Sequence, residues 1–292
     1  MKVSVCMITY GHEKYIREAI EGVLMQECDF EIELVLSNDC SPDQTDKIIH
    51  DILSNHPKAS CIKYYKHEKN IGMMPNFIDA LKKCNGKYVA LCEGDDYWTD
   101  SLKLQKQVNF LEVNPDYVLC FHQVDILKTN GEIVDDFITK VPENYETIET
   151  LARLGNYIHT PSVVFRNIIN QFPFEFEQSP IGDYFLYMML AENGKLKYFE
   201  DKMVVYRYGV GVYSVESITN KLVMIGKQYS CLLSYLKEES LKKIILDRNV
   251  LLLNSFDASF CSKYNSNDFI INHKSLKTII KILLKKIKQR LL

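Results

Sequence analysis

Apolar positions in the first ninety residues fall into short blocks whose period keeps switching. Val3 to Thr9 is an apolar run closed by Tyr10-Gly11, the pattern of a buried strand. Glu13 to Gln26 instead places Tyr15, Ile16, Ala19, Ile20, Val23 and Leu24 at helical spacing. Glu31 to Leu36 reads as a second strand. Ser41-Pro42 then supplies an N-cap and a first-turn proline for a helix running to about Leu53. Cys61 to Tyr65 is a third strand. A helix opens at Pro75 and stops at Asn85-Gly86, and Lys87 to Cys92 is a fourth strand. Strands alternating with helices predict an α/β fold with a mainly parallel sheet covered on both faces.

Beyond residue 100 the rhythm loosens. A helix is predicted from about Ser101 to Glu112, a strand over Tyr117 to Leu127, and a strand over Ser162 to Arg166. Asp183 to Glu192 has helical spacing, Met203 to Tyr208 reads as a strand, and the pattern from about Glu216 onward is helical. Thr129 to Tyr157 carries no period and is left as loop-rich sequence. No internal repeat or low-complexity segment is present.

In open α/β sheets ligands bind beyond the carboxyl ends of the strands. The junctions there read Thr9-Tyr10-Gly11-His12, Asn38-Asp39-Cys40-Ser41, Asn70-Ile71-Gly72 and Glu93-Gly94-Asp95-Asp96. The last is the sharpest. Three carboxylates in four residues repel one another, and the repulsion is relieved by water or by a cation. Hard divalent ions such as Mg²⁺ and Mn²⁺ take carboxylate and phosphate oxygens together. The strand-end position, with Tyr97-Trp98 following, favours the cation.

Composition narrows the classes. A chain of 292 residues buries a sizeable core, and a net charge of -3 gives no general attraction to nucleic acid. The nine cysteines form neither a Cys-x-x-Cys pair nor a cluster with histidines, so they read as small buried hydrophobes in a reducing compartment. Strand sequence from Lys2 leaves no room for an export leader, and no apolar run reaches the roughly 20 residues that span a bilayer. The expectation is a cytoplasmic protein, soluble or peripheral on the inner membrane face.

Four segments together resemble the family 2 glycosyltransferases. Val3-Ser4-Val5-Cys6-Met7-Ile8-Thr9-Tyr10 is similar to that family's opening strand. Ser37-Asn38-Asp39-Cys40-Ser41-Pro42-Asp43-Gln44-Thr45 resembles its second-strand motif, and Asn70-Ile71-Gly72 with Asn76 its third. Glu93-Gly94-Asp95-Asp96-Tyr97-Trp98 resembles its DxD-type metal motif. The resemblance implies a GT-A-type fold over residues 1–214, with a nucleotide-sugar half to about residue 100 and an acceptor half after it. Residues 215–292 would be a helical extension.

The resemblance also implies roles. Thr9, Tyr10, Asp39, Asn70, Asn76 and Asp95 would bind the nucleotide-sugar, with Asp39 accepting from a nucleobase N–H. Asp96 and Asp95 would hold Mn²⁺ or Mg²⁺. Asp183, opening a helix after Pro180-Ile181-Gly182, would be the catalytic base; a plain helix cap is the competing reading. His159 and Trp98 would meet an acceptor, a glycan or lipid-linked glycan in surface polysaccharide assembly. Two departures stand out. The late loop Tyr206 to Ser214 has no His, and Met74-Pro75 precedes Asn76 where relatives carry Arg. Lys69, Arg207 or the metal alone would then serve the diphosphate. Two other classes are weighed: a nucleotidyltransferase, which would want a glycine-rich phosphate loop after the first strand, and a catalytically silent binding protein of the same fold.

The C-terminal sequence is separate chemistry. Between Lys274 and Leu292 lie seven cations and no acid, with Leu276, Ile279, Ile280, Leu283, Leu284, Ile287 and Leu291 at spacings of mostly three and four. A basic amphipathic helix of this kind predicts contact with an anionic membrane surface. A terminal helix packed on the domain with a solvated basic face is the competing reading.

Overall fold

In the computed structural model, residues 2–263 are described; the basic segment 274–292 lies outside them. Nine strands form one sheet. They are β1 (Lys2–Thr9), β2 (Glu31–Asn38), β3 (Ile62–Lys66), β4 (Tyr88–Leu91), β5 (Tyr97–Trp98), β6 (Tyr117–Leu127), β7 (Ile133–Asp135), β8 (Val164–Arg166) and β9 (Lys195–Arg207). The helices are α1 (Ile16–Leu24), α2 (Thr45–Asn55), α3 (Met73–Lys83), α4 (Lys103–Val113), α5 (Ile148–Leu154), α6 (Phe174–Gln178), α7 (Gly182–Ala191), α8 (Val212–Val215), α9 (Ile218–Tyr235) and α10 (Glu239–Lys263). Among the described residues, those up to Arg248 form one compact unit, and those from Asn249 fall outside it.

The strand order is β3-β2-β1-β4-β8-β6-β9-β5, with β7 beside β6. The first four strands are parallel, as the alternating pattern predicts. Beyond them the sheet is mixed. β8 runs antiparallel to both β4 and β6, and β9 runs parallel to β6. Two reversals therefore bring β6 and β9 back into the direction of β4. The carboxyl ends of β1, β2, β4 and β9 all open on one edge. The order reverses at β1 and β4, since β1 leads outward to β2 while β4 lies on its other side, and this is where a crevice forms.

Both faces of the central strands are covered. Val3, Val5 and Met7 pack with Ile16, Ile20 and Val23 of α1 in the main core. The opposite positions Ser4 and Cys6 are also buried. That is why β1 reads as a continuous run rather than an alternation. β9 is longer than its predicted Met203–Tyr208. Its first half, Lys195 to Asp201, is largely half-buried or exposed and charged, so it carries no apolar run. The second helix begins at Thr45, not at Ser41. The Asn38 side chain accepts from the Ser41 amide at 2.9 Å and its hydroxyl at 2.7 Å, and Cys40 turns the chain with φ +58°. Asp43 instead receives the Thr45 amide at 3.0 Å.

One core group carries a pH signature. Lys103 is fully buried; its ammonium donates to Gln107 Oε1 at 2.8 Å and lies 4.2 Å from the Trp98 ring centroid. Burial pulls its pKa down to about 7. Above that pH the folded chain carries a neutral amine while the unfolded chain, at about 10.4, still binds a proton. The contribution of Lys103 to stability should therefore rise with pH from about 7. Burial also raises the thiols of Cys92 and Cys120, so the gain should be offset above about 9, where unfolded thiols ionise. The raised carboxyls of Glu93 and Asp96 add the opposite slope, so denaturant titrations across pH 6 to 9 should show the Lys103 contribution as a slope more positive in the wild type than in Lys103→Met. An equal slope in both would place the titration elsewhere.

Candidate functional site

The site is built where the strand ends meet. After Leu91 the chain stays on β1: the Cys92 amide donates to Cys6 O at 3.1 Å and the Gly94 amide to Ile8 O at 3.0 Å. This holds Glu93, Asp95 and Asp96 beside Thr9. One ligand oxygen from each of the three carboxylates lies within 4.8 Å of the others, a geometry that fits a cation. Burial, then the charges of Asp95 and Asp183, push Glu93 up to about 8. Burial and its neighbours likewise raise Asp96 well above the carboxylate range. Such a cluster is costly without a positive charge among it.

The surroundings fit a polar ligand as well. Thr9 Oγ1 and His12 Nδ1 are buried without a hydrogen-bond partner. Both face Gly94, where an added Cβ would lie 2.7 Å from the first and 2.9 Å from the second. Gly94 is thus packed directly against these two polar atoms, with no room for a side chain, beside the carboxylates. Buried polar atoms normally have partners, so two orphans together mark a place where a ligand atom belongs.

Arg207 closes β9 over this loop. Its backbone amide donates to Asp96 Oδ1 at 2.7 Å, and its guanidinium donates to Asp95 O at 2.5 Å and pairs with Glu18. The guanidinium carbon lies 4.9 Å from the Tyr15 ring and 4.6 Å from the Tyr97 ring. At 6% exposure Arg207 is committed to the scaffold. It shapes the carboxylate loop rather than presenting itself to a diphosphate. Lys69 is exposed. The late loop that follows approaches the cluster at Gly211, where an added Cβ would lie 3.2 Å from Asp95 Oδ2.

The second and third junctions are scaffold-like too. Asp39 accepts from the Ile71 amide at 2.7 Å and the Gly72 amide at 2.9 Å, one on each oxygen, and thereby holds the turn at Gly72, φ +95°. A base contact would use its remaining lone pairs. Asn76 is buried; its carbonyl oxygen accepts from the Ser37 hydroxyl at 2.6 Å and its amide donates to Ser37 O at 3.3 Å. That pins α3 to β2 and takes Asn76 away from a ligand. Tyr10 is 45% exposed at the rim, and Asn70 is exposed.

Asp183 sits in the first turn of α7, but Ile181 is the cap residue. The carboxylate takes the Tyr184 amide at 2.6 Å on Oδ1, and Asn156 Nδ2 at 2.9 Å and Thr160 Oγ1 at 3.3 Å on Oδ2. Burial raises its pKa against these three bonds. Its charge acts on both Glu93 and Tyr213, so it lies within electrostatic reach of the carboxylate cluster. Asn156 comes from the stretch whose lack of period hid it, and Thr160 lies just beyond it. His159 is 8% exposed, lies 4.8 Å from the Tyr206 ring, and donates through Nε2 to Asp136 Oδ2 at 3.0 Å. Trp98 does not reach an acceptor. It is 2% exposed, and its indole N–H donates to Pro161 O at 3.0 Å, because β5 turns the ring into the core beneath the site.

The sequence profile of glycosyl transferase family 2 matches residues 4–172, which include every element of the carboxylate loop. The chain belongs to glycosyl transferase family 2. Uncharacterized proteins of Mycobacterium bovis and Mycobacterium tuberculosis are 35% identical to it over 205 residues, 70% of this chain and 58% of theirs. The chain thus spans under two thirds of the length of these relatives. Among solved structures of similar fold, S. aureus TarS 1-349 in complex with UDP-GlcNAc aligns with TM-score 0.66 at 21% identity, over 92% of this chain and 77% of that one. A mannosyltransferase of Pyrobaculum calidifontis, in complex with GDP-Man and Mn²⁺, aligns with TM-score 0.58 at 15% identity, over 95% and 79%. These likenesses show the GT-A-type fold that the family implies.

Proposed function

We propose that this family 2 chain transfers a sugar from a nucleotide-sugar to a hydroxyl of a glycan or lipid-linked glycan, with inversion at the anomeric carbon. The observation that carries the reading is a buried three-carboxylate cluster within electrostatic reach of a separate raised carboxylate, Asp183. Two carboxylate environments in one site suit two different tasks. Glu93, Asp95 and the free oxygen of Asp96 would hold Mn²⁺ or Mg²⁺. When bound, such an ion neutralises the charge that grows on a leaving diphosphate. Glu93 thereby joins the ligand set expected from Asp95 and Asp96.

Asp183 would take the proton of the accepting hydroxyl. That oxygen bonds to the anomeric carbon as the bond to the diphosphate breaks on the opposite face. Burial raises the basicity of Asp183, while Asn156, Thr160 and the Tyr184 amide hold the carboxylate in one orientation. Thr9 and His12 would offer their unpartnered atoms beside Gly94 to the donor, and Asp39, whose amide donates to Thr9 O at 3.0 Å, and Tyr10 adjoin Thr9. The nucleotide in the complex of the structurally similar TarS makes a UDP-sugar the first donor to try. A hydrolysis screen over UDP-, GDP- and dTDP-sugars, with Mn²⁺ and with EDTA, tests this. One donor should turn over, and only with metal. Retained nucleotide binding with no turnover of any donor would favour the silent binding protein instead.

For location, no helix among the described residues is long and apolar enough to cross a membrane. We place the enzyme at the inner face of the cytoplasmic membrane through 274–292, whose cations would each contribute on the order of 1 kcal/mol at an anionic surface. Removing 274–292 should cut pelleting with anionic liposomes, and added salt should weaken pelleting of the full chain. Equal pelleting of the two proteins would show that the segment does not bind lipid.

A further inference from the structure

The helices that follow the sheet reach back to the base. α9 and α10 lie beyond residues 4–172, the span that the family profile matches. From α9, the buried Gln228 donates through Nε2 at 3.1 Å to the carbonyl of Ile181, the cap residue of α7. The next residue, Tyr229, sets its ring edge-on to Tyr184, with the centroids 6.4 Å apart. Tyr184 is the residue whose amide donates to the Asp183 carboxylate.

Arg248 of α10 makes a third link. Its Nη1 donates to Arg153 O at 2.6 Å, and its Nε donates to the Tyr229 hydroxyl. Arg153 lies in the last turn of α5, where carbonyls have no partner within the helix. Two residues on, Gly155 turns the chain at φ +79° and ψ -166°, a conformation essentially confined to glycine. The Arg248 guanidinium is packed directly on this turn. An added Cβ at Gly155 would run into Nη2 and lie 2.8 Å from Cζ. The residue after the turn is Asn156, whose Nδ2 donates to Asp183 Oδ2 at 2.9 Å.

We propose that Arg248 is a positioning residue for the base: it clamps the Arg153–Gly155 turn and so aims Asn156 at Asp183. The inference rests on the glycosyl-transfer reading above. Asn156 and Thr160 both donate to Oδ2 of Asp183, and the Tyr184 amide donates to Oδ1. Thr160 is the longer of the two Oδ2 contacts at 3.3 Å, so Asn156 does most to fix that oxygen. A base acts only when its oxygen is held within hydrogen-bond reach of the accepting hydroxyl, and a small displacement costs up to about 10²-fold in rate. The planar guanidinium suits the task, because it donates in two fixed directions at once. An Arg248 that served stability alone would change the melting temperature and leave the turnover of the folded protein unaltered.

Arg248→Met keeps much of the side-chain stem and removes the donors. Its kcat should fall by roughly 10- to 100-fold, while donor KM and UDP affinity with Mn²⁺ stay at wild-type values. Asn156→Ala should show the same split. The double variant should be no slower than Asn156→Ala alone, because both changes act through one bond. Amide hydrogen exchange of the full chain should be faster at 153–160 in Arg248→Met and unchanged at 93–98. A wild-type kcat in Arg248→Met would overturn the proposal, whatever its melting temperature. Losses that multiply in the double variant would also overturn it, as would unchanged exchange at 153–160. Should the wild type transfer no sugar, faster exchange in Arg248→Met would leave the clamp standing and count against the transfer reading. If Arg248→Met fails to fold, Arg248→Lys carries the same test, since it keeps the charge but lacks the fixed fork.

Discussion

Asp183→Asn should bind the nucleotide normally and transfer sugar roughly 10²-fold or more slowly than the wild type, the usual worth of a positioned base. The amide keeps the shape of the carboxylate but cannot take a proton. Its oxygen can still accept from the Tyr184 amide, so α7 should keep its first turn. Its NH₂ group would face Asn156 Nδ2 or Thr160 Oγ1, which now donate to the carboxylate. Some loss of order in 156–160 is therefore expected, and Thr160→Val separates that effect. It removes one donor without removing the base and should cost much less than Asp183→Asn. The two measurements needed are single-turnover transfer and nucleotide affinity. Near-normal transfer by Asp183→Asn would assign the proton to another residue.

Asp95→Ala and Asp96→Ala should both abolish most transfer, but for different reasons in stability. Removing a metal ligand forfeits several kcal/mol of charge stabilisation, on the order of 10³-fold in rate. Asp95 is 7% exposed, so its loss should leave the fold intact and relieve repulsion in the metal-free protein. Asp96 is 1% exposed and accepts the Arg207 amide at 2.7 Å. Its loss orphans a buried N–H and should also cost about 1–3 kcal/mol of stability. Thermal melts without metal should therefore separate the two variants, with Asp96→Ala the less stable. Transfer by Asp95→Ala at the wild-type rate would remove the cluster from the mechanism.

Much of the first half of this arrangement was legible in the sequence. The period switches marked β1 to β4 within a few residues, and the strand-end rule pointed at the four junctions. That works because parallel central strands are buried on both faces and so read as unbroken apolar runs. The roles within the junctions were less legible. Asn76 and Arg207 are residue types suited to a ligand, yet both spend their hydrogen bonds on the scaffold. Only the fold reveals that, because Arg207 meets Glu18 and Asp95 across more than a hundred residues of chain. Trp98 misleads in the same way: an aromatic after a metal motif suggests a platform, but a two-residue strand pairing with β9 turns it inward. Asp136, Asn156 and Thr160 lie in or beside the stretch that has no period. Their positions depend on side-chain bonds to distant groups, which leave no mark on local sequence. Thr9 and His12 lie at a junction that the strand-end rule marked, but that Thr9 Oγ1 and His12 Nδ1 are left without partners shows only in the fold.

The central claim is that the carboxylate cluster holds a divalent ion that receives the diphosphate of a nucleotide. Calorimetric titration of UDP into the protein, with Mn²⁺ and then with excess EDTA, tests it most directly. The account predicts binding at least about tenfold tighter with Mn²⁺, and no such gain in Asp95→Ala. UDP binding of equal strength in EDTA and in Mn²⁺ would contradict it.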